Sequence, residues 1–109
     1  MKSIYIAGPY SSSTDAVVIA NMERAASVAA KYYRAGWAVF CPHTMTHIID
    51  KRFNKNGAIK YKDWMDTDIY WLKKCDAIHL LPGWKESEGA AHEYRVAKAL
   101  GLEILGEVE

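Results

Sequence analysis

Changes in the hydrophobic period along the chain mark its elements. The apolar, β-branched run Ser3–Ala7 stops at Gly8-Pro9, which predicts a buried strand feeding a loop. Beyond the hydroxyl-rich residues 11–14 the spacing becomes helical. Asp15 is placed to cap a long helix reaching Arg34, with Ala, Met and Val on its apolar face and Gly36 as its stop. Residues 37–41 predict a second strand. Pro42 then opens a long connection to Lys60, with Asn54, Asn56 and Gly57 as turn formers, and this connection is expected to be mobile. A second helix is predicted over 61–74 and a third strand over 77–81, ended by Pro82-Gly83. A third helix over 87–100, stopped by Gly101, leads into a last strand over 103–105. Strands alternating with helices predict an α/β fold, a parallel sheet with helices on both faces and right-handed crossovers.

Composition narrows the class. Residues 1–109 are enough for a single domain, because a second core would have almost nothing to bury. Half the residues are hydrophobic and a quarter charged, which excludes a disordered or fibrous chain. Fourteen Lys and Arg against thirteen Asp and Glu leave a net charge of +1, without the positive excess that nucleic-acid binding uses, so no nucleic-acid partner is expected. Cys41 and Cys75 have neither metal-site nor CxxC spacing and are too few for a disulfide framework, which fits a reducing cytoplasm. The apolar stretch near Met1 is too short for a signal or membrane-spanning segment, so no membrane association is expected.

The most informative residues are acids where a core-facing helix should be apolar. On the third predicted helix, Gly89, Glu93, Val96, Ala97 and Leu100 share one stripe, while Glu88, Ala91, Arg95 and Lys98 point away. On the second, Asp68 sits among Tyr61, Trp64, Trp71, Leu72 and Cys75. A buried carboxylate loses several kcal/mol of hydration, so an inward acid needs a partner, a cleft or a chemical task. Each acid alone could equally lock packing by accepting bonds from a core Tyr, Trp or backbone N–H. Position favours a site for Glu93, because ligands of open parallel sheets bind beyond the carboxyl ends of the strands, and Glu93 lies in the first turns after strand three. Small residues Gly89, Ala90 and Ala91 allow close approach to that helix N-terminus, where free N–H groups favour an anion. Ser87 is the natural N-cap there and a candidate donor to a phosphate oxygen.

Other candidates carry weaker signals. Tyr5 points opposite to Ile4 and Ile6 on a strand expected to be central and next to strand three; it either fills the core, the simpler reading, or orients a carboxylate. The loop from Gly8 through Ser11 to Ser13 is a cradle of small hydroxyl residues suited to a sugar or phosphate, yet it lacks both GxGxxG and a Walker lysine. His43 and His47, at i and i+4, would suit a metal only on a helix, and no third ligand is evident, so they are read as surface or ligand-lid residues. The charges between Lys51 and Lys62 are read as a solvated face.

Ile4 through Pro9, Asp68 through Leu72, Cys75-Asp76-Ala77 and above all the L-P-G-W-x-x-S-x-G-A-x-x-E pattern from Leu81 to Glu93 resemble the nucleoside 2-deoxyribosyltransferase superfamily. The resemblance covers nearly the whole chain, specific at the last motif and loose over 42–60. It implies a flavodoxin-like parallel sheet of four to five strands and a homo-oligomer, most simply a homodimer. It also implies Glu93 as nucleophile, Asp68 as the acid working on the base or the water, and Tyr5 as the residue orienting the nucleophile. Gly8, Ser11, His43, Ser87 and Gly89 would contact the substrate. Six residues before the nucleophile, Ser87 matches the 2′-deoxynucleoside 5′-monophosphate N-glycosidases, whereas transferases of free nucleosides carry aspartate there. Ser11 departs from the hydrolases, which place arginine at that position. The expected function is hydrolysis of a 2′-deoxynucleoside 5′-monophosphate at its N-glycosidic bond, with no metal or organic cofactor. Base exchange between nucleosides, or a non-catalytic nucleotide-binding module, are the alternatives.

Overall fold

A computed structural model describes residues 1–108. Its elements are β1 (Ser3–Ala7), α1 (Asp15–Arg34), β2 (Ala38–Phe40), α2 (Pro42–Phe53), α3 (Tyr61–Leu72), β3 (Ala77–Leu80), a 3₁₀ turn at Trp84–Glu86, α4 (Glu88–Ala99) and β4 (Glu103–Gly106). The four strands are parallel in the order β2-β1-β3-β4, with Tyr5 opposite Phe40 on one side and Ile78 on the other. This is the flavodoxin-like α/β arrangement, with β1 central and beside β3 as expected.

Strand alternation sorts the core into two layers. Ile4 and Ile6 pack with Ala25 and Ala29 of α1 on one face of the sheet. Tyr5, Ala7, Ile78 and Leu80 pack with Leu72, Ala90 and Ala97 of α3 and α4 on the other. Alanines on the buried stripe of α1 let that helix lie close to the strands. The sheet edge is filled by Trp84, which is buried and donates its indole N–H to the Glu107 carbonyl.

The structure departs from the sequence expectations at several places. Thr14, not Asp15, is the N-cap of α1; Asp15 is already helical and places its charge in the first turn, where the helix dipole favours an anion. The expected mobile connection over 42–60 contains α2. Pro42 starts this helix with its φ preset and no N–H to satisfy, and Thr44 Oγ1 donates to the Cys41 carbonyl. Asn54 then ties the following turn, accepting from Ile59 N at 2.8 Å and donating to Ile59 O at 2.9 Å. The second predicted helix ends at Leu72 rather than Lys74, strand two is shorter than expected, and β4 runs one residue further. The inward face of α3 is rotated from the predicted stripe: Ile69 and Leu72 reach the core, whereas Tyr61 and Trp71 are exposed. Leu100 is also exposed, because it lies past the last turn of α4. No helix among the described residues is long and apolar enough to cross a membrane.

Candidate active site

In a parallel sheet whose chain moves to opposite sides after β1 and β3, a crevice opens at the carboxyl ends of those two strands. Here it is a cleft of about 870 Å³, bounded by the Gly8–Ser11 loop after β1, by α2, by α3 from Tyr61 to Asp68 and by the N-terminus of α4. Most of the candidate residues gather there, but Ser12, Ser13 and His47 do not line it. Gly8, Ser11, His43, Asp68, Ser87, Gly89 and Glu93 line the cleft, and Tyr5 stands behind Glu93.

Glu93 lies in the second turn of α4 and is 6% exposed. The Tyr5 hydroxyl donates to its Oε2, joining the central strand to α4. The Tyr5 ring is fixed from behind by Phe40, stacked with centroids 5.6 Å apart, and Phe40 stacks in turn on Trp71. Burial, followed by the charges of Glu93 and Asp68, holds the Tyr5 hydroxyl well above its ordinary pKa, so the phenol remains a donor. Burial pushes Glu93 up to about 8; the Tyr5 bond works against this and the Asp68 charge with it. Burial alone pushes Asp68, half-buried on α3, up to about 7. Two carboxyl groups that titrate near neutrality at the floor of a cleft can exchange protons with a ligand, which ordinary surface acids cannot do at that pH.

The remaining walls follow from local constraints. Ser87 caps α4 as the sequence predicts, its Oγ accepting from Ala90 N at 3.3 Å. A Cβ on Gly89 would stand 3.2 Å from the Tyr61 hydroxyl, so glycine lets that phenol reach across the cleft towards Glu88, Glu93 and Asp68, whose charges, after burial, raise its pKa. A Cβ on Gly8 would meet Leu81 Cβ at 2.6 Å, so packing as well as access requires glycine there. His43 is not a surface residue: it is 4% exposed, with Nε2 3.0 Å from the Pro9 carbonyl. His47 is half-buried and its Nδ1 pairs with the Tyr10 hydroxyl at 3.1 Å. Among the described residues no three His, Cys, Asp or Glu side chains are grouped to hold a metal.

Sequence reasoning missed Thr46, Asp50 and Glu86 as lining residues, read Glu88 as pointing away, and placed Tyr61 in the core rather than on the cleft wall. The i, i+3 and i+7 spacing of His43, Thr46 and Asp50 was the available signal, hidden by reading their helix as a loop. Taken together the lining contains five acids, Asp50, Asp68, Glu86, Glu88 and Glu93, and no Lys or Arg among the described residues.

Residues 2–106 match the family described as a domain of unknown function (DUF4406). Among solved structures, a 2-desoxiribosyltransferase from Leishmania mexicana is similar with a TM-score of 0.63 and 24% identity over 97% of this chain and 63% of that one. The chain therefore spans a little under two thirds of that protein's length, and the likeness is one of fold. No curated protein matches the sequence.

Proposed function

The chain belongs to the DUF4406 family, and from that premise we propose that it cleaves the N-glycosidic bond of a 2′-deoxynucleoside with Glu93 as nucleophile. The observation that carries the reading is the buried Glu93 carboxyl, held by the Tyr5 hydroxyl at the floor of a cleft of about 870 Å³. That volume is within the usual range for small-molecule sites. The fold shared with a protein titled a 2-desoxiribosyltransferase supports the same chemistry.

In the first step ionised Glu93 attacks the anomeric carbon as the C1′–N bond breaks through an oxocarbenium-like transition state. The electron pair of the broken bond leaves with the base, which takes the Asp68 proton. In the second step water attacks C1′, Asp68 accepts the water's proton, and the ester to Glu93 is released. An acceptor base in place of water gives transfer instead. The reactive form carries one proton on the pair, on Asp68 rather than Glu93. With Asp68 pushed to about 7 and Glu93 to about 8, the singly protonated pair peaks between those values; its proton rests mainly on Glu93, and the reactive arrangement is the minor tautomer of that pair, peaking at the same pH.

The acid-rich lining, without Lys or Arg among the described residues, supports an unphosphorylated substrate over a 5′-monophosphate. A monophosphate is the second reading, favoured by Ser87 at the α4 N-terminus, where free N–H groups attract anions. We also propose that the working form is a homodimer, supported by the exposure of Phe53, Tyr61, Tyr70 and Trp71; sedimentation as a monomer at micromolar concentration contradicts this.

The test is a screen of deoxynucleosides and their monophosphates for free-base release, with and without an acceptor base. Release from nucleosides supports the proposal, and appearance of a new nucleoside identifies transfer. Absence of release from every compound contradicts it and favours a non-catalytic binding module.

A further inference from the structure

Cleavage of a glycosidic bond does not account for the wall that α2 contributes. His43, Thr46 and Asp50 occupy one face of α2 and line the cleft. The Pro9 carbonyl can only accept a hydrogen bond, so the His43 nitrogen facing it, Nε2, must carry the ring proton. Burial holds the ring below its ordinary pKa against the Pro9 and Gly8 backbone, which act to raise it, and with the proton on Nε2 the Nδ1 lone pair is bare. That atom is buried and has no hydrogen-bond partner among the described residues. A buried acceptor without a donor is costly; Nδ1 itself is closed to solvent, so a ligand donor in the cleft that His43 lines pairs with it through a shift of the ring or its neighbours. About 10 Å further along the helix, Asp50 adds a carboxylate whose Oδ1 is engaged by Asn54 Nδ2 at 3.3 Å. Thr46, between them, can act either way, and no Lys or Arg lines the cleft among the described residues. The polar groups of this wall are thus acceptors first.

We propose that the α2 wall holds the heterocycle of the substrate and selects bases that present an amino group over their oxo counterparts. The inference rests on the reading of the cleft as a nucleoside site. An amino group donates to the acceptors of the wall, whereas an oxo group sets lone pair against lone pair and leaves the buried acceptor unpaired. Sites built to receive a donor discriminate strongly against ligands lacking it.

The test is calorimetric binding to the full chain carrying Glu93→Gln, which prevents turnover. The probes are 2′-deoxyadenosine against 2′-deoxyinosine and 2′-deoxycytidine against 2′-deoxyuridine. The amino member of each pair should bind roughly tenfold or more tightly. Adding Asp50→Asn, a half-buried position where the amide offers a donor, should narrow the ratio several-fold, and His43→Phe should narrow it again. Equal binding within both pairs, or tighter binding of the oxo members, overturns this inference and leaves the nucleoside reading standing. An unchanged ratio in a folded Asp50→Asn protein and a folded His43→Phe protein also overturns it. Failure of all four nucleosides to bind overturns the nucleoside reading and this inference together.

Discussion

Glu93→Gln separates the cost of burying a carboxyl group from the use made of it. In the unfolded chain Glu93 titrates near its ordinary 4.5, while in the fold it keeps its proton up to about 8. Across that window the folded protein holds a proton the unfolded chain has lost, so its stability falls as pH rises. The full effect is about 1.4 kcal/mol per pH unit, or roughly 4–5 kcal/mol across the window. Glutamine keeps the side-chain shape, accepts the Tyr5 bond through its amide oxygen and carries no charge. The variant should therefore match the wild type near pH 4.5 and exceed it by roughly 2–5 kcal/mol at about pH 8, the lower end allowing for water entry around the ionised group. In a chain of 109 residues each kcal/mol corresponds to roughly 4–8 °C in Tm. Urea unfolding of both proteins at intervals from about pH 5 to about pH 9, followed by circular dichroism, measures the difference. Ionisation of Asp68 is common to the two and cancels to first order. A variant-minus-wild-type difference that stays flat across the series refutes the raised pKa and the burial argument behind it.

Three further outcomes follow from the same geometry. Tyr5→Phe removes the donor to Glu93 and should lower kcat by about 10- to 100-fold, with the Glu93 limb of the pH–rate profile moved to higher pH, because that bond lowers the Glu93 pKa. Asp68→Asn should reduce kcat by roughly 10²- to 10⁴-fold and abolish one limb of a bell-shaped profile whose limbs in the wild type lie near 7 and 8, read from initial rates across pH. Ser87→Ala removes the cap of α4 and should cost about 0.5–2 kcal/mol in denaturant unfolding, while the ratio of kcat/KM for a nucleoside and its monophosphate stays as in the wild type; a tenfold loss of monophosphate preference instead assigns Ser87 to phosphate binding.

The parts of the fold and site that were legible in the sequence are those where period and burial agree. Tyr5 opposes Ile4 and Ile6 because strand alternation has no other solution, and Glu93 follows Gly89 by one helical turn onto the buried side of α4. Ser87 reads as a cap because its hydroxyl precedes a helix with free N–H groups. Helix α2 was illegible for the converse reason. Met45, Ile48, Ile49 and Phe53 of α2 are exposed, while its polar residues His43, Thr46 and Asp50 face the cleft, the reverse of the pattern that announces an amphipathic helix. The face of α3 was misjudged because one helical spacing was carried through Tyr61, Trp64, Asp68 and Trp71, whereas the helix turns Ile69 and Leu72 to the core and leaves Tyr61 and Trp71 exposed. Trp71 stacks on the outer side of Phe40 and stays exposed, while Ile69 packs against the core.

The central claim, that Glu93 bonds covalently to the sugar, is tested most directly by quenching the wild-type protein during turnover of a deoxynucleoside and mapping any adduct by mass spectrometry. A deoxyribosyl group on the peptide containing Glu93, absent from the folded Glu93→Gln protein together with base release, is the predicted result. Base release by Glu93→Gln at the wild-type rate, with no adduct on Glu93 in either protein, contradicts the account.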